Sequence, residues 1–309
     1  VISGGLGRTA SVAADDFAIY QYLQRPGSTM IGYTPAELDP RNPANHERLP
    51  STSIRKDLAA LRPAFDGLIT YGYHEASTPR VLAIAKQLEF KAVIIGIWQP
   101  KSADEIDGVC RLVRLHESDF ALAVCVGNEG ITFDRYEEDD LRFAGTRVRK
   151  LLPPDVPMTT SEPLSGYESE YVRSFGDFLA PNIHPVFHAP NLDAAAAAAW
   201  TLSQAKQLAK RSGKPLIIKE TGFPHEGRGK YSPAAQTEFW TAYVKSPAIE
   251  SIDQAKNVWL ARGIAFEAYD LPWKAEASGL PIEKSWGLLS VERKPYPAFE
   301  VWRDESQRR

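Results

Sequence analysis

Eight short apolar or β-branched runs, set a few tens of residues apart and separated by stretches of helical periodicity, restrict this chain of 309 residues more than any other feature. They fall at 29–33, 67–72, 92–98, 120–127, 157–162, 178–184, 215–220 and 264–269. Runs such as Ala-Val-Ile-Ile-Gly-Ile-Trp (92–98) and Phe-Ala-Leu-Ala-Val-Cys-Val-Gly (120–127) are apolar almost throughout, which suits parallel strands covered on both faces and does not suit hairpin strands with one wet face. The periodicity between them predicts helices at 53–61, 78–88, 103–115, 134–151, 167–175, 193–212, 233–244 and 252–262. Thr78-Pro79 reads as a helix start, and Gly213 after Lys210-Arg211 as a helix stop. The alanine-rich run 194–199 belongs to a helix, since alanine is the best helix former and Trp200, Leu202 and Leu208 supply a packing face. Eight βα units over roughly 280 residues match a (β/α)8 TIM barrel better than an open doubly wound sheet.

The first 28 residues stand outside this rhythm. Residues 1–10 are rich in glycine and read as loose, whereas 15–23 predicts a short amphipathic helix, through Phe17, Tyr20 and Leu23, that caps the barrel floor. Gly4-Gly5-Leu6-Gly7 lacks the preceding strand and the Lys-Ser/Thr end that a phosphate loop needs. The expected organisation is an N-terminal extension, 1–28, and one barrel, 29–309.

Composition narrows the partners. There are 36 Lys and Arg against 39 Asp and Glu, a net charge of −3, and no basic block, which argues against nucleic acid or an anionic membrane surface. The longest stretch without a charged residue, 178–192, contains three prolines and two histidines and is no spanning helix. Cys110 and Cys125 have neither metal nor redox spacing and read as buried apolar side chains. With no initiator Met and no basic-then-apolar leader, the chain reads as a mature protein or as a domain of a longer one.

In a parallel barrel the chemistry sits where strands end at the C-terminal face, so the residues closing each strand are the candidates. Two carboxylates stand out there. Glu129 closes Val126-Gly127-Asn128-Glu129 after the fourth strand, and Glu220 closes Leu216-Ile217-Ile218-Lys219-Glu220 after the seventh. A charge fastened to an apolar strand is costly unless it is used; a helix cap or an ion pair is the plain alternative for either acid taken alone. His184 and His188 are four apart, but Pro185 between them opposes a zinc-binding helix, and no H-E-x-x-H or cysteine pair is present, so no metal or other cofactor is expected. The absence of G-x-S-x-G removes a serine esterase.

Asn128-Glu129 and Glu220-Thr221-Gly222-Phe223-Pro224 resemble the two catalytic signatures of glycoside hydrolase family 17, a β-1,3-glucanase family of (β/α)8 barrels. The closing segment, Phe266-Glu267-Ala268-Tyr269-Asp270-Leu271-Pro272-Trp273-Lys274 followed by Glu283-Lys284-Ser285-Trp286-Gly287-Leu288, is similar to that of the same family. The resemblance implies a retaining glycosidase or β-1,3-glucanosyltransferase, with Glu129 as general acid/base, Glu220 as nucleophile and Asn128 on the sugar 2-hydroxyl. Two carboxyls about 5–5.5 Å apart give retention through a covalent intermediate, and a wider gap gives inversion. A sugar cleft also needs flat aromatic faces and polar tips, which makes Tyr33, Tyr71, Trp98, His184 and Trp273 candidate substrate contacts, with core packing as the alternative for each. Asp270, Lys274 and Glu283 occupy the family's closing charged cluster and are expected to orient the nucleophile side or sugar hydroxyls, with a surface ion network as the alternative. Ile69 stands where the family commonly has arginine, and Phe223 where it often has tryptophan, which places the chain nearer bacterial and fungal members than plant glucanases. Hydrolysis and transfer share their first half and diverge at acceptor loops such as 35–50 and 223–232. The expected partner is therefore a β-glucan oligosaccharide or polysaccharide, met outside the cytoplasm, with this chain as an independent protein or a domain of a larger envelope protein. A silent β-glucan-binding module, or a related enzyme cutting another β-linkage, is the rival reading.

Overall fold

The computed structural model describes residues 17–308, so the glycine-rich start and the first residues of the expected floor helix lie outside the described residues. Five strands, Met30–Gly32, Gly67–Thr70, Ala92–Ile97, Ala121–Asn128 and Met158–Ser161, pair parallel with one another in chain order. The sixth segment makes single bridges in place of a continuous ladder, joining Pro163 to Asn182, Leu179 to Leu216 and Asn182 to Glu220. Pro181 explains this, because it removes a donor from the middle of the segment. The remaining amides still carry the sheet across: Leu179 N donates to Pro215 O at 2.9 Å, Asn182 N to Glu162 O at 3.0 Å and Ile183 N to Glu220 O at 2.8 Å.

The seventh strand, Leu216–Ile217, pairs parallel with Val258–Ala261, and Ile264–Ala265 pairs parallel with the first strand. The sheet thus closes into a (β/α)8 barrel. Its eighth strand begins at Val258, not at 264, and is broken at Arg262-Gly263, so that its first half faces the seventh strand and its second half the first. The helix expected at 252–262 is therefore corrected to β-structure: Ile249–Asp253 runs antiparallel to Val258–Ala261, turned by a 3₁₀ segment and by Asn257 at φ 52°. The spacing of Ile252 and Trp259 imitates a helix, but Val258, Trp259, Leu260 and Ala261 are all buried, as in a strand covered on both faces.

Most other helices lie where the periodicity places them: Ser51–Leu61, Thr78–Gln87, Ala103–His116, Glu138–Leu151, Ala194–Ser212 and Pro233–Tyr243. The span 167–175 divides into a 3₁₀ turn, Gly166–Glu168, and the short helix Glu170–Ser174. The last barrel helix is Pro297–Ser306, which the periodicity did not single out; its Trp302 packs edge-on to Trp240 and its Phe299 against Phe65.

Residues alternate along the strands. Met30, Ile69, Ile94, Cys125, Phe178 and Ile217 form an inner core, whereas Ile31, Leu68, Val93, Ile95, Val124 and Ile218 pack against the surrounding helices. The helix Ala18–Leu23 closes the inner core as the sequence predicts, with the Tyr20 ring edge-on to Trp259 at 4.7 Å and to Phe178 at 5.9 Å. Burying Ile19 and Leu23 in this plug contributes about 1.5–3 kcal/mol each. Both cysteines are buried and unpaired, and no helix among the described residues is long and apolar enough to cross a membrane.

Candidate active site

The end of the fourth strand is built to aim a side chain. The ladder to strand five shifts register between Cys125 and Asn128, where Gly127 takes φ 77°, and Glu129 itself sits at φ 57°. A bulge of this kind redirects the residues after it, and a non-glycine residue in the left-handed region stores strain that the surroundings must hold. Gly130 admits the Tyr136 ring, which would lie 1.8 Å from a Cβ at that position. The following turn is pinned by buried Glu162, whose oxygens accept from Ile131 N at 3.0 Å and Thr132 N at 3.1 Å. Asn182, fully buried, then reaches both functional side chains: its Nδ2 donates to Glu129 Oε1 at 2.9 Å and to Asn128 Oδ1 at 3.1 Å, while its own Oδ1 accepts from Ser161 Oγ.

Glu220 sits in the opposite electrostatic setting. Its Oε1 accepts from Lys219 Nζ at 2.6 Å, and its Oε2 lies 3.4 Å from His184 Nε2. Burial alone opposes ionisation of this carboxyl, but the Lys219 charge and the His184 contact outweigh it and lower its pKa to about 2. For Glu129, burial and the nearby Glu220 charge both raise the pKa, against the Asn182 hydrogen bond. One carboxyl is held ionised and the other is biased toward its acid form, which is the division of labour that two-carboxylate chemistry requires.

The eighth strand adds a third acid. Glu267 is 1% exposed; its Oε2 accepts from Lys274 Nζ at 2.6 Å, while Oε1 has no hydrogen-bond partner among the described residues. Burial is the main cause that lifts its pKa to about 7, with the charges of Glu220 and Glu283 adding to it and Lys274 opposing. The buried Tyr71 hydroxyl lies beside these acids, and burial first, then the charges of Glu220, Glu267 and Glu129, oppose its ionisation. His184 stands edge-on to Phe266 and Trp286, each at 5.1 Å, and its Nδ1 has no partner among the described residues. Unsatisfied buried polar atoms grouped in this way are groups that a polyhydroxylated ligand can satisfy.

The structure thus brings together Asn128, Glu129, His184, Glu220, Tyr71 and, through Glu267, Lys274. Trp98 is 38% exposed near Asn128; the Arg135 guanidinium covers one of its faces at 4.1 Å and also donates to the Asn128 carbonyl. Trp273 is half-buried with the Arg41 guanidinium 5.8 Å from its ring. Two expectations need correction. Tyr33 is 2% exposed and donates to Asp57 Oδ2 at 3.0 Å, so it belongs to the outer packing layer with Ile31 and offers no face to a ligand. Asp270 is occupied structurally: His225 Nε2 lies 2.9 Å from it, Tyr296 Oη donates to it at 2.7 Å and Gly287 N at 3.1 Å. Glu283 bears on the site through its charge, which adds to the upward shift of Glu267. Sequence reasoning passed over Lys219, Asn182 and Glu267 as site residues, and Phe187, an exposed ring 6.2 Å from His184. Among the described residues no group of three or more His, Cys, Asp or Glu side chains is placed to hold a metal ion.

A closed (β/α)8 barrel with two oppositely biased carboxyls at the ends of strands four and seven is the framework of a glycoside hydrolase. Residues 31–287 match the BtgE/BtgC glycoside hydrolase domain, and the chain belongs to that family. One curated relative, "Probable glucan endo-1,3-beta-glucosidase btgC" of Aspergillus fumigatus, is 24% identical over 277 residues, covering 81% of this chain and 40% of the relative. The chain therefore spans about two-fifths of that relative's length. A shorter relative, the glucan 1,3-beta-glucosidase of Arthroderma benhamiae, is 25% identical over 266 residues, covering 78% of this chain and 84% of the relative. Among solved structures, the glycoside hydrolase family 17 beta-1,3-glucanosyltransferase of Rhizomucor miehei superposes with a TM-score of 0.67 at 19% identity, covering 89% of this chain and 97% of the other. An endo-laminarinase from Formosa Hel1_33_131 gives 0.68 at 17% identity, covering 86% of this chain and 84% of the other. These likenesses establish the shared barrel.

Proposed function

We propose that the chain acts on β-1,3-glucan by double displacement, with Glu220 as the nucleophile and Glu129 as the acid/base. The observation that carries this reading is the opposite bias of the two carboxyls: Lys219 and His184 hold Glu220 ionised, while burial and the Glu220 charge raise the proton affinity of Glu129. Glu220 attacks the anomeric carbon while Glu129 protonates the departing glycosidic oxygen. Glu129 then takes a proton from water or from a sugar hydroxyl, which attacks the glycosyl ester and frees Glu220. Asn128 donates to the 2-hydroxyl of the reacting sugar, a contact that tightens as charge develops. Trp98 and Phe187 supply exposed aromatic surface for flanking sugars. The activities for which the two fungal glucosidases and the Rhizomucor glucanosyltransferase are named support the substrate class. A polymeric glucan substrate also favours a site of action outside the cytoplasm.

The test is incubation with linear β-1,3-gluco-oligosaccharides of defined length, read by mass spectrometry and by NMR of the first-formed anomer. Products with retained configuration support the reading; only shorter ones mark hydrolysis, and longer or branched ones mark transfer. Glu220→Gln should lower turnover about 10³-fold or more while keeping oligosaccharide binding. Inverted products, or a wild-type protein that binds oligosaccharide and never turns it over, would overturn it.

A further inference from the structure

We infer that Lys219 is a positioning residue of this site, holding the Glu220 carboxylate in place and, by occupying the amide oxygen of Asn128, turning the Asn128 amide nitrogen toward the bound sugar. This rests on the reading of Glu220 as nucleophile. Lys219 continues the inward-facing series of Ile217 on the seventh strand and is 2% exposed. Its ammonium donates to Glu220 Oε1 at 2.6 Å and to Asn128 Oδ1 at 2.7 Å, and it lies 4.7 Å from the centre of the Tyr71 ring. One side chain therefore ties the end of strand seven to the end of strand four. A buried lysine is expensive to keep, and an apolar residue of similar volume serves a barrel core at least as well. Its place in the fold is explained by what it holds.

The hydrogen-bond inventory of Asn128 makes the second half of the inference. An amide oxygen has two lone pairs, and here both face N–H donors, Lys219 Nζ at 2.7 Å and Asn182 Nδ2 at 3.1 Å. Flipping the amide would set its NH₂ group against those two donors, so the orientation is fixed by the network. The nitrogen is left pointing away from both, and no acceptor among the described residues takes it. A sugar hydroxyl oxygen is the acceptor this arrangement awaits. Asn182 spends its two N–H donors on Asn128 Oδ1 and Glu129 Oε1, and Lys219 fills the second lone pair of the Asn128 oxygen at the shorter distance.

The experiment compares wild type, Lys219→Met and Lys219→Arg on an aryl β-laminaribioside and on its analogue lacking the 2-hydroxyl of the reacting sugar. In Lys219→Met, kcat/KM should fall about 10²-fold, the size of one lost charge-assisted contact at the nucleophile. The acid limb of its pH profile should move to higher pH, and the rate penalty for removing the 2-hydroxyl should shrink. Lys219→Arg, which keeps the charge, should keep the limb low. A folding defect lowers the active fraction but moves neither the limb nor the 2-deoxy penalty, so an unchanged limb and penalty in Lys219→Met overturn the inference and leave the reading of Glu220 standing. Where Lys219→Met does not fold, Lys219→Gln, which also removes the charge, takes its place, and an unmoved acid limb in that variant overturns the inference. A wild-type protein that cleaves neither substrate removes the underlying reading instead.

Discussion

Replacing Glu267 by Gln should make the protein more stable in alkaline solution and leave it unchanged in acid. This carboxyl is buried, with one oxygen on Lys274 and the other without a partner among the described residues, and its pKa rises from the ordinary 4.5 to about 7. An acid whose folded pKa lies above its unfolded pKa binds its proton more tightly when folded. Its contribution is therefore neutral below about 4.5, becomes unfavourable as the pH climbs toward 7, and reaches a plateau near 3 kcal/mol of lost stability above that. Glutamine keeps the shape, offers Lys274 an acceptor and carries no charge, so the pH-dependent part disappears. Urea unfolding of wild type and Glu267→Gln at intervals from pH 4 to 9 reads the difference directly. The variant should match wild type at the acid end and exceed it by about 2–3 kcal/mol at the alkaline end, a large effect against a total of about 5–15 kcal/mol. A difference that stays constant across that window, or a variant that loses stability at pH 8, would show that the Lys274 ion pair outweighs the burial of the charge.

Three other outcomes follow from the same geometry. Asn182→Ala removes the amide that holds Glu129, and kcat/KM should drop about 10–100-fold; an unaltered value means that the bulge aims Glu129 unaided. In Glu220→Gln the neutral amide removes a charge that raises the Glu129 pKa, so Glu129 should titrate lower than in wild type by carboxyl ¹³C NMR, and an equal or higher value contradicts the coupling. Tyr33→Phe strips a hydrogen bond from buried Asp57 and should cost about 1–2 kcal/mol in denaturation while kcat/KM holds; a loss of activity with unchanged stability would return Tyr33 to the cleft.

The strand ends were legible because an acid fastened to a nearly all-apolar run is conspicuous, as at Glu129 and Glu220. What escaped was parity. Counted by twos along the first strand, Ile31 and Tyr33 fall on the outer side together, whereas on the second Ile69 lies in the inner core and Tyr71, two residues on, meets the inward Lys219 at 4.7 Å. The same count assigns Lys219 to the interior with Ile217, where a lysine demands an explanation. Asn182 was harder to see, since Pro181 interrupts its strand and leaves bridges in place of a ladder. The error at 252–262 has another cause: apolar residues three and four apart fit a helix until Val258 to Ala261 proves to be buried on every side. Asp270 illustrates a limit of motif position, because the partners that occupy it, His225 and Tyr296, come from segments on either side of the motif.

The pairing of Lys219 with Glu220 also has an effect that unfolds during a turnover. Before attack the Lys219 ammonium and the Glu220 carboxylate are paired at 2.6 Å, and at Glu129 the Glu220 charge, which raises its proton affinity, outweighs the Lys219 charge, which lowers it. In the proposed double displacement, once the Glu220 carboxylate carries a sugar as an ester, its negative charge is gone and the buried Lys219 ammonium remains. Glu129, having given up its proton, now faces a net positive neighbour that keeps it ionised until an acceptor hydroxyl arrives. When that hydroxyl attacks, the carboxylate returns and Glu129 regains its affinity for the proton it must take. A fixed cation beside the nucleophile thus acts as a clockwork counterweight, converting the making and breaking of one covalent bond into two opposite steps of proton affinity at the other acid.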